Sequence, residues 1–174
     1  MSSAQLAAEV LFLDGIKLMK EGRCADAVTK FHDSQELDPA SGTLLNLAYC
    51  QVTLDRIASA WLTYRQALAL AQASQKTQHA QIAREQAAKL EPVLPRLVLR
   101  SADAGARELI VELDGAPLTP SVWSLPVPVD PGGHHVRVKL EDGEVWQTEL
   151  NISRAQRAIV DIPLPVAPTA TPTA

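Results

Sequence analysis

Histidines and cysteines are the residues of this chain that could bind a metal or act as nucleophiles. His134 and His135 are adjacent in a segment that reads as a β-strand, and imidazole nitrogens are common ligands of transition metals. Neighbouring side chains of a strand point to opposite faces of the sheet, so these two cannot reach one ion. No cysteine or carboxylate stands at ligand spacing around them. We therefore expect a structural role for both histidines and no metal site.

The remaining reactive side chains form no recognisable catalytic arrangement. Cys24 and Cys50 are too few for a disulfide framework and are either bridged or packed as two thiols; the second is the expectation. His32 and His79 fall on helices without an evident partner, and Asp14 is expected at a rim or in a polar contact. No nucleophile and base stand together, and no glycine-rich loop opens a helix for phosphate. The sequence predicts a protein that is not an enzyme and uses no cofactor.

Two tryptophans, Trp123 and Trp146, offer a different kind of site. If both rings were exposed they could stack on a sugar, which would make this half of the chain a glycan-binding module. With so few other aromatic residues present, we expect them instead to fill the core of a small domain. The glycan contact stays open as the alternative.

Composition excludes several classes of partner. The chain has 174 residues and a net charge of −4, with no dense stripe of lysine or arginine, which argues against nucleic acid. No segment approaches the roughly 18 apolar residues of a membrane span. The segment 1–6 lacks the positive charge of a secretory signal. These features predict a cytoplasmic protein, or an exported, envelope-associated one if the chain is a trimmed form.

A repeat of 33 residues indicates the helices that would position a site. Small residues and one aromatic recur at this interval: Gly15, Ala27, Phe31 and Ser34 are followed by Ala48, Ala60, Tyr64 and Ala67. Small residues suit the places where two helices touch, so the period predicts a solenoid of stacked helix pairs. Helices are expected at about 4–20, 25–37, 43–54, 57–73 and 75–91. One long bent helix over the last two segments is the competing description.

The spacing of these residues resembles that of the tetratricopeptide repeat. The matching positions are Leu11, Gly15, Leu18, Ala27, Phe31 and Pro39, then Leu44, Leu47, Ala48, Leu54, Ala60, Tyr64 and Ala67. The resemblance implies a helical domain over 4–91, with repeats at about 8–40 and 41–73 and a capping helix at 75–91. Asp14 departs from the pattern because the family favours an apolar residue there, and the second repeat lacks a closing proline.

The same resemblance implies a concave groove lined by the first helix of each pair. The expected lining residues are Phe12, Ile16, Met19, Leu45, Tyr49 and Val52. An apolar patch of this kind suits an amphipathic helix or an extended apolar peptide, but not an acidic C-terminus. The alternative is that the fifth helix, the second domain or a second copy of the chain fills the groove.

Beyond Pro92 and Pro95 the hydrophobic pattern changes to strict alternation. Alternating runs occur around 97–100, 108–113, 136–140, 146–152 and 158–162, and Asp114-Gly115 and Asp142-Gly143 mark turns between strands. They predict a small antiparallel β-sandwich over 96–163. The proline-, threonine- and alanine-rich segment 164–174 is expected to be a disordered tail.

Part of this second half resembles the PEGA-type β-domain. The resemblance lies in Asp114-Gly115 at the end of a strand and in Pro131-Gly132-Gly133-His134 before the next strand, although the Pro-Glu-Gly-Ala motif is absent. The pairing of both domains is typical of bacterial, often envelope-associated proteins. The predicted fold class is α+β in two domains, and the predicted function is an adaptor or assembly scaffold that binds another protein or peptide. The alternatives are an envelope module that contacts glycan or cell wall, and a structural homodimer.

Overall fold

A computed structural model describes residues 2–101, 109–139, 143 and 145–162. The chain forms two compact units. The first consists of Met1–Pro95 together with two short segments from later in the chain, Pro128–Pro131 and Ser153–Gln156. The second consists of Arg96–Val127, Gly132–Ile152 and Arg157–Ala174. The fold class is the expected one: five helices followed by a β-region.

The helical unit contains five helices joined by short turns. Their bounds are α1 Ser3–Lys20, α2 Cys24–Leu37, α3 Ser41–Thr53, α4 Ile57–Ala73 and α5 Thr77–Leu90, followed by a 3₁₀ turn at Glu91–Val93. Each helix packs on the next along the chain, as short connections between antiparallel neighbours require. The expected α5 is present as a helix of its own, so the single long bent helix is excluded.

Two helix starts differ from the expectation. α3 begins at Ser41 rather than near Thr43, after Ala40, and no side chain caps its first turn. The Ser41 hydroxyl instead lies 2.9 Å from Nδ1 of His79 on α5. α5 begins at Thr77 rather than near position 75, and Ser74 is the C-cap of α4. Serine suits either end of a helix: Ser41 contacts His79 on a neighbouring helix, whereas the Ser74 hydroxyl donates to the backbone oxygen of Leu70 within α4.

The same three-residue turn joins α1 to α2, α3 to α4 and α4 to α5. Its middle residue has a positive φ in each case: Gly22 at 76°, Asp55 at 61° and Gln75 at 56°. The residue after it donates its backbone N–H to a carbonyl in the last turn of the helix, Leu18, Gln51 or Ala71, which is the Schellman pattern of a helix end. The α4–α5 connection is thus built like the other two.

Small residues let these helices pack closely, as the repeat predicted. Ala27, Ala48, Ala60 and Ala67 are completely buried. Gly15 lies against the buried ring of Phe31, so closely that a Cβ at Gly15 would stand 2.7 Å from Cε1. Close approach of the backbones at Gly15 and Ala27 allows α1 and α2 to share one core.

Within the described residues, seven strands form two sheets. Their bounds are β1 Arg96–Ser101, β2 Ile110–Leu113, β3 Ala116–Leu118, β4 Val127–Pro128, β5 Gly132–Lys139, β6 Val145–Ile152 and β7 Arg157–Ile162. The four-stranded sheet has the order β3-β2-β5-β6 and is antiparallel at every pair, as expected. The three-stranded sheet has the order β4-β1-β7, and here β1 and β7 run parallel. Alternation of apolar residues fixes which face is buried, but it does not fix the direction of a neighbour.

The first predicted turn is a tight hairpin. Asp114 and Gly115 both have positive φ, 52° and 82°, and connect β2 to β3 as a two-residue type I′ turn. For the second, β5 and β6 pair antiparallel up to Lys139 and Val145, while Asp142 lies outside the described residues. The expected tail at 164–174 also lies outside them.

Candidate functional site

An apolar groove lies between α3 and α5, with Met19 of α1 at its side. Its volume is about 590 Å³. The lining residues are Met19, Gly42, Leu45, Asn46, Tyr49, Tyr64, Gln78, His79, Ile82 and Gln86. Tyr49 on α3 is 56% exposed and Ile82 on α5 is 38% exposed, so the space between the two helices is open at both side chains.

Three of the six residues expected in the groove line it. Met19, Leu45 and Tyr49 do so. The structure places the other three, Phe12, Ile16 and Val52, elsewhere. Phe12 lines a neighbouring cavity of about 230 Å³ and packs its ring 6.0 Å from that of Phe31, while Ile16 and Val52 pack against the two buried clusters of the helical core.

One whole wall of the groove was missed, because α5 was interpreted as a capping helix. Gln78, Ile82 and Gln86 stand at intervals of four and share one face of α5. The 33-residue repeat could have indicated this wall, because Gln78 and Ile82 lie 33 residues after Leu45 and Tyr49, two residues predicted to line the groove. In this respect α5 occupies the place of the first helix of a third repeat.

The groove is lined without any side chain of fixed charge. Its polar groups are amides and hydroxyls, apart from His79. Burial, and after it the charge of the nearby Tyr49, raises the pKa of Tyr64 to about 12, so its phenol remains protonated at neutral pH. Asn46 donates from Nδ2 to the backbone oxygen of Gly42 at 2.9 Å, which fixes the orientation of its amide. Such a surface can bind apolar groups and hydrogen-bond a peptide backbone.

His79 has a partner that the sequence did not reveal. Its Nδ1 lies 2.9 Å from the hydroxyl of Ser41, a distance typical of a serine–histidine pair. Ser41 is only 1% exposed, however, and sits at the start of α3. A hydroxyl in this position cannot reach a substrate, so the pair serves to hold α5 against α3.

The cysteines are free thiols, and both are buried. Burial, together with a hydrogen bond to Cys24, raises the pKa of Cys50 to about 12. A thiol that stays protonated at neutral pH is a poor nucleophile.

Asp14, which interrupts the repeat pattern, has its carboxylate 3.4 Å from the ammonium group of Lys30, a polar contact between α1 and α2.

The two strand histidines are held by one aspartate of the β2–β3 turn. Oδ2 of Asp114 lies 2.7 Å from Nδ1 of His134, and Oδ1 accepts a hydrogen bond from the backbone N–H of His135 at 2.8 Å. Elsewhere, His32, Asp33 and Glu36 on α2 bring candidate metal-ligating atoms within 4.8 Å of one another. Glu36 lies 3.5 Å from His32, and both side chains are more than 60% exposed, as in an ordinary surface pair.

The tryptophans do not form an exposed pair. Trp123 is only 7% exposed and therefore has too little free ring surface to stack on a sugar. Trp146 on β6 is half-buried. A glycan contact that uses both rings is inconsistent with the burial of Trp123.

Among the described helices, none combines the length and the apolar character that are needed to cross a membrane.

Comparison with known proteins finds similarity among solved structures. No family model matches the chain, and no curated protein matches it. The PEGA-type resemblance of the second half is thus unsupported. Among solved structures, the chain is similar to the first tetratricopeptide domain of Spaghetti (RPAP3), bound to the HSP90 peptide SRMEEVD. The identity is 25%, the TM-score is 0.38, and the match covers 51% of this chain and 82% of the other.

Proposed function

We propose that this protein is a non-catalytic adaptor or assembly scaffold that binds an apolar segment of another protein in the groove between α3 and α5. The helical domain 4–91 would supply the groove, and 96–163 would form a second, separate domain. The observation that carries the proposal is the exposure of Tyr49 and Ile82 on facing helices in a groove without fixed charge. Binding of a partner that covers large apolar side chains in this position is favourable, because it removes their surface from water.

The groove is not filled by α5, which was one alternative. α5 forms a wall, and both Tyr49 and Ile82 remain accessible beside it. The amide side chains of Asn46, Gln78 and Gln86 add donors and acceptors along the same groove. This combination favours an extended or helical apolar segment whose backbone or polar side chains meet those amides.

The test is partner capture with Tyr49→Glu and Ile82→Glu, which place a charge in the groove. Leu62→Glu is the matched control, because Leu62 on α4 is 49% exposed and lies outside the groove. We expect both groove variants to lose the captured protein and the control to retain it, with unchanged helical circular dichroism. If the groove variants unfold, or bind as the control does, the proposal is wrong.

Light scattering coupled to size exclusion separates the remaining alternatives. A wild-type dimer that becomes a folded monomer in Tyr49→Glu would indicate a structural homodimer in place of an adaptor. An envelope module that contacts glycan would have to rely on Trp146 alone, because Trp123 is buried. Polysaccharide retention that is lost in Trp146→Ala would favour that function.

A further inference from the structure

A second cleft lies between α4 and α5 and shares no lining residue with the groove. Its volume is about 750 Å³, within the range of sites that bind small ligands and short peptides. Leu68 and Ala88 are among the apolar residues that line it. Two arginines, Arg65 from α4 and Arg84 from α5, line it as well.

Arg65 is oriented by an aromatic ring. Its guanidinium carbon lies 5.0 Å from the centre of the Trp61 ring, in the range of a cation–π contact. Such a contact uses the face of the guanidinium and leaves its N–H groups available at the edges. Among the described residues, no carboxylate pairs with Arg65.

Arg84 lacks an acidic partner as well. Its neighbour in sequence, Glu85, accepts a hydrogen bond from the amide of Gln81 at 2.9 Å. Within the part of the chain that the structure describes, Arg84 makes no ion pair. Glu91 also lines the cleft, but it is engaged in an interaction within the protein.

We propose that this cleft binds a short acidic peptide segment of a partner protein. One carboxylate would accept hydrogen bonds from Arg65 and a second from Arg84, and an apolar side chain between them would lie on Leu68 and Ala88. Guanidinium groups match carboxylates because they donate two parallel hydrogen bonds. The cleft is larger and more apolar than an inorganic phosphate requires. The net charge of the chain is −4, so attraction for an anion has to come from these two arginines.

The probe is the capped tripeptide acetyl-Glu-Leu-Glu-amide, titrated into the full chain. Its uncharged counterpart, acetyl-Gln-Leu-Gln-amide, has the same shape. Nuclear magnetic resonance follows the Nε–H of Arg65 and the indole N–H of Trp61. We expect saturable shifts with the acidic peptide and none with the neutral one.

Three variants locate the binding. Arg65→Gln and Arg84→Gln should each weaken it at least fivefold, since each loses a charge-assisted contact. Arg56→Gln is the matched control, because Arg56 is exposed at the start of α4 and does not line the cleft. Binding that is unchanged in Tyr49→Glu would show that this site is independent of the groove.

Four results would overturn the proposal. The first is equal binding of the two peptides, and the second is an equal loss of binding in Arg56→Gln. The third is displacement of the acidic peptide by inorganic phosphate at the same concentration, which would make the cleft an anion site. The fourth is an Arg65→Gln or Arg84→Gln variant that converts a dimer into monomers, because a second copy of the chain would then be the occupant.

Discussion

At the scale of single residues, Gly15 decides how closely α1 and α2 approach. The ring of Phe31 lies against it and is completely buried, and the ring of Phe12 packs against that of Phe31 with 6.0 Å between the ring centres. Gly15 and Phe31 stand out in the sequence, because a small residue and an aromatic residue occur again 33 residues after them, at Ala48 and Tyr64. The sequence thus predicted that Gly15 lies where two helices touch, although not that the ring of Phe31 lies against it.

Gly15→Ala should destabilise the protein even though alanine favours a helix by about 1 kcal/mol over glycine. The new methyl group would stand 2.7 Å from Cε1 of Phe31, and the packed ring cannot move without strain. Overpacking of this kind costs about 1–3 kcal/mol. Urea unfolding measures the change.

Gly42→Ala is the control for that prediction. Gly42 is also helical, but a Cβ there would meet only Cε1 of His79, at 3.4 Å. This variant should be neutral or slightly stabilising. Equal stability of the two variants would contradict the prediction, because it would mean that the ring of Phe31 moves at little cost to make room for the methyl group.

Cys50 makes stability sensitive to alkaline pH. Burial raises the pKa of the folded-state thiol from 9.0 to about 12, so between these values the unfolded chain loses a proton that the folded chain keeps. The free energy of unfolding should therefore fall as pH rises above about 9, by up to roughly 1.4 kcal/mol per pH unit. Tyr64 acts in the same direction between pH 10.0 and about 12. Urea unfolding from pH 8 to 11 should show a shallower slope for Cys50→Ala, and identical slopes would contradict the assignment.

At the scale of elements, the sequence predicted all five helices but not the role of the last. Periodicity located α1 to α5 within two residues at each end, because helix length and apolar spacing are local properties. The face that α5 turns to the groove was missed, since 75–91 was interpreted as a capping helix and Gln78 and Gln86 are polar. Which polar residues border a groove depends on the neighbouring helix, and that information is not local.

Substitutions in the turn before α5 test how much its backbone conformation costs in stability. Gln75 has a φ of 56°, a conformation that costs a residue with a Cβ about 1 kcal/mol or more. Gln75→Gly should therefore raise the free energy of unfolding by about 0.5–1 kcal/mol, because glycine adopts this conformation freely. Gly22→Ala in the equivalent turn should lower it by a similar amount. A destabilised Gln75→Gly variant would show that the glutamine side chain compensates for its backbone.

At the scale of the whole molecule, residues far along the chain complete the helical unit. The carboxylate of Asp130 accepts hydrogen bonds from the backbone N–H of Ser59 at 2.9 Å and from its hydroxyl at 2.6 Å, in the first turn of α4. Arg154 pairs with Asp55 in the turn just before that helix. Sequence patterns could not reveal these contacts, because 71 residues separate Ser59 from Asp130 and no periodicity connects them. The parallel pairing of β1 with β7 escaped prediction for the same reason.

Asp130 should therefore act as the N-cap that Arg56, at the cap position of α4, does not provide. Asp130→Ala should lower the free energy of unfolding of the helices by about 1–2 kcal/mol, since it removes both a cap and a negative charge at a helix N-terminus. Ser59→Ala loses only the hydroxyl contact and should cost about 1 kcal/mol. Far-UV circular dichroism during urea unfolding measures both variants and the double variant.

The double-mutant cycle isolates the contact itself. We expect a coupling of about 0.5–1.5 kcal/mol between positions 59 and 130, because residues that share a hydrogen bond are not additive. Asp161→Ala is the control, since Asp161 on β7 forms an exposed pair with Arg100 that contributes little. If Asp130→Ala behaved like Asp161→Ala and the cycle were additive, the later segment would not cap α4. The helical unit would then be complete within residues 2–95, and its stability would not depend on the segment that carries Asp130.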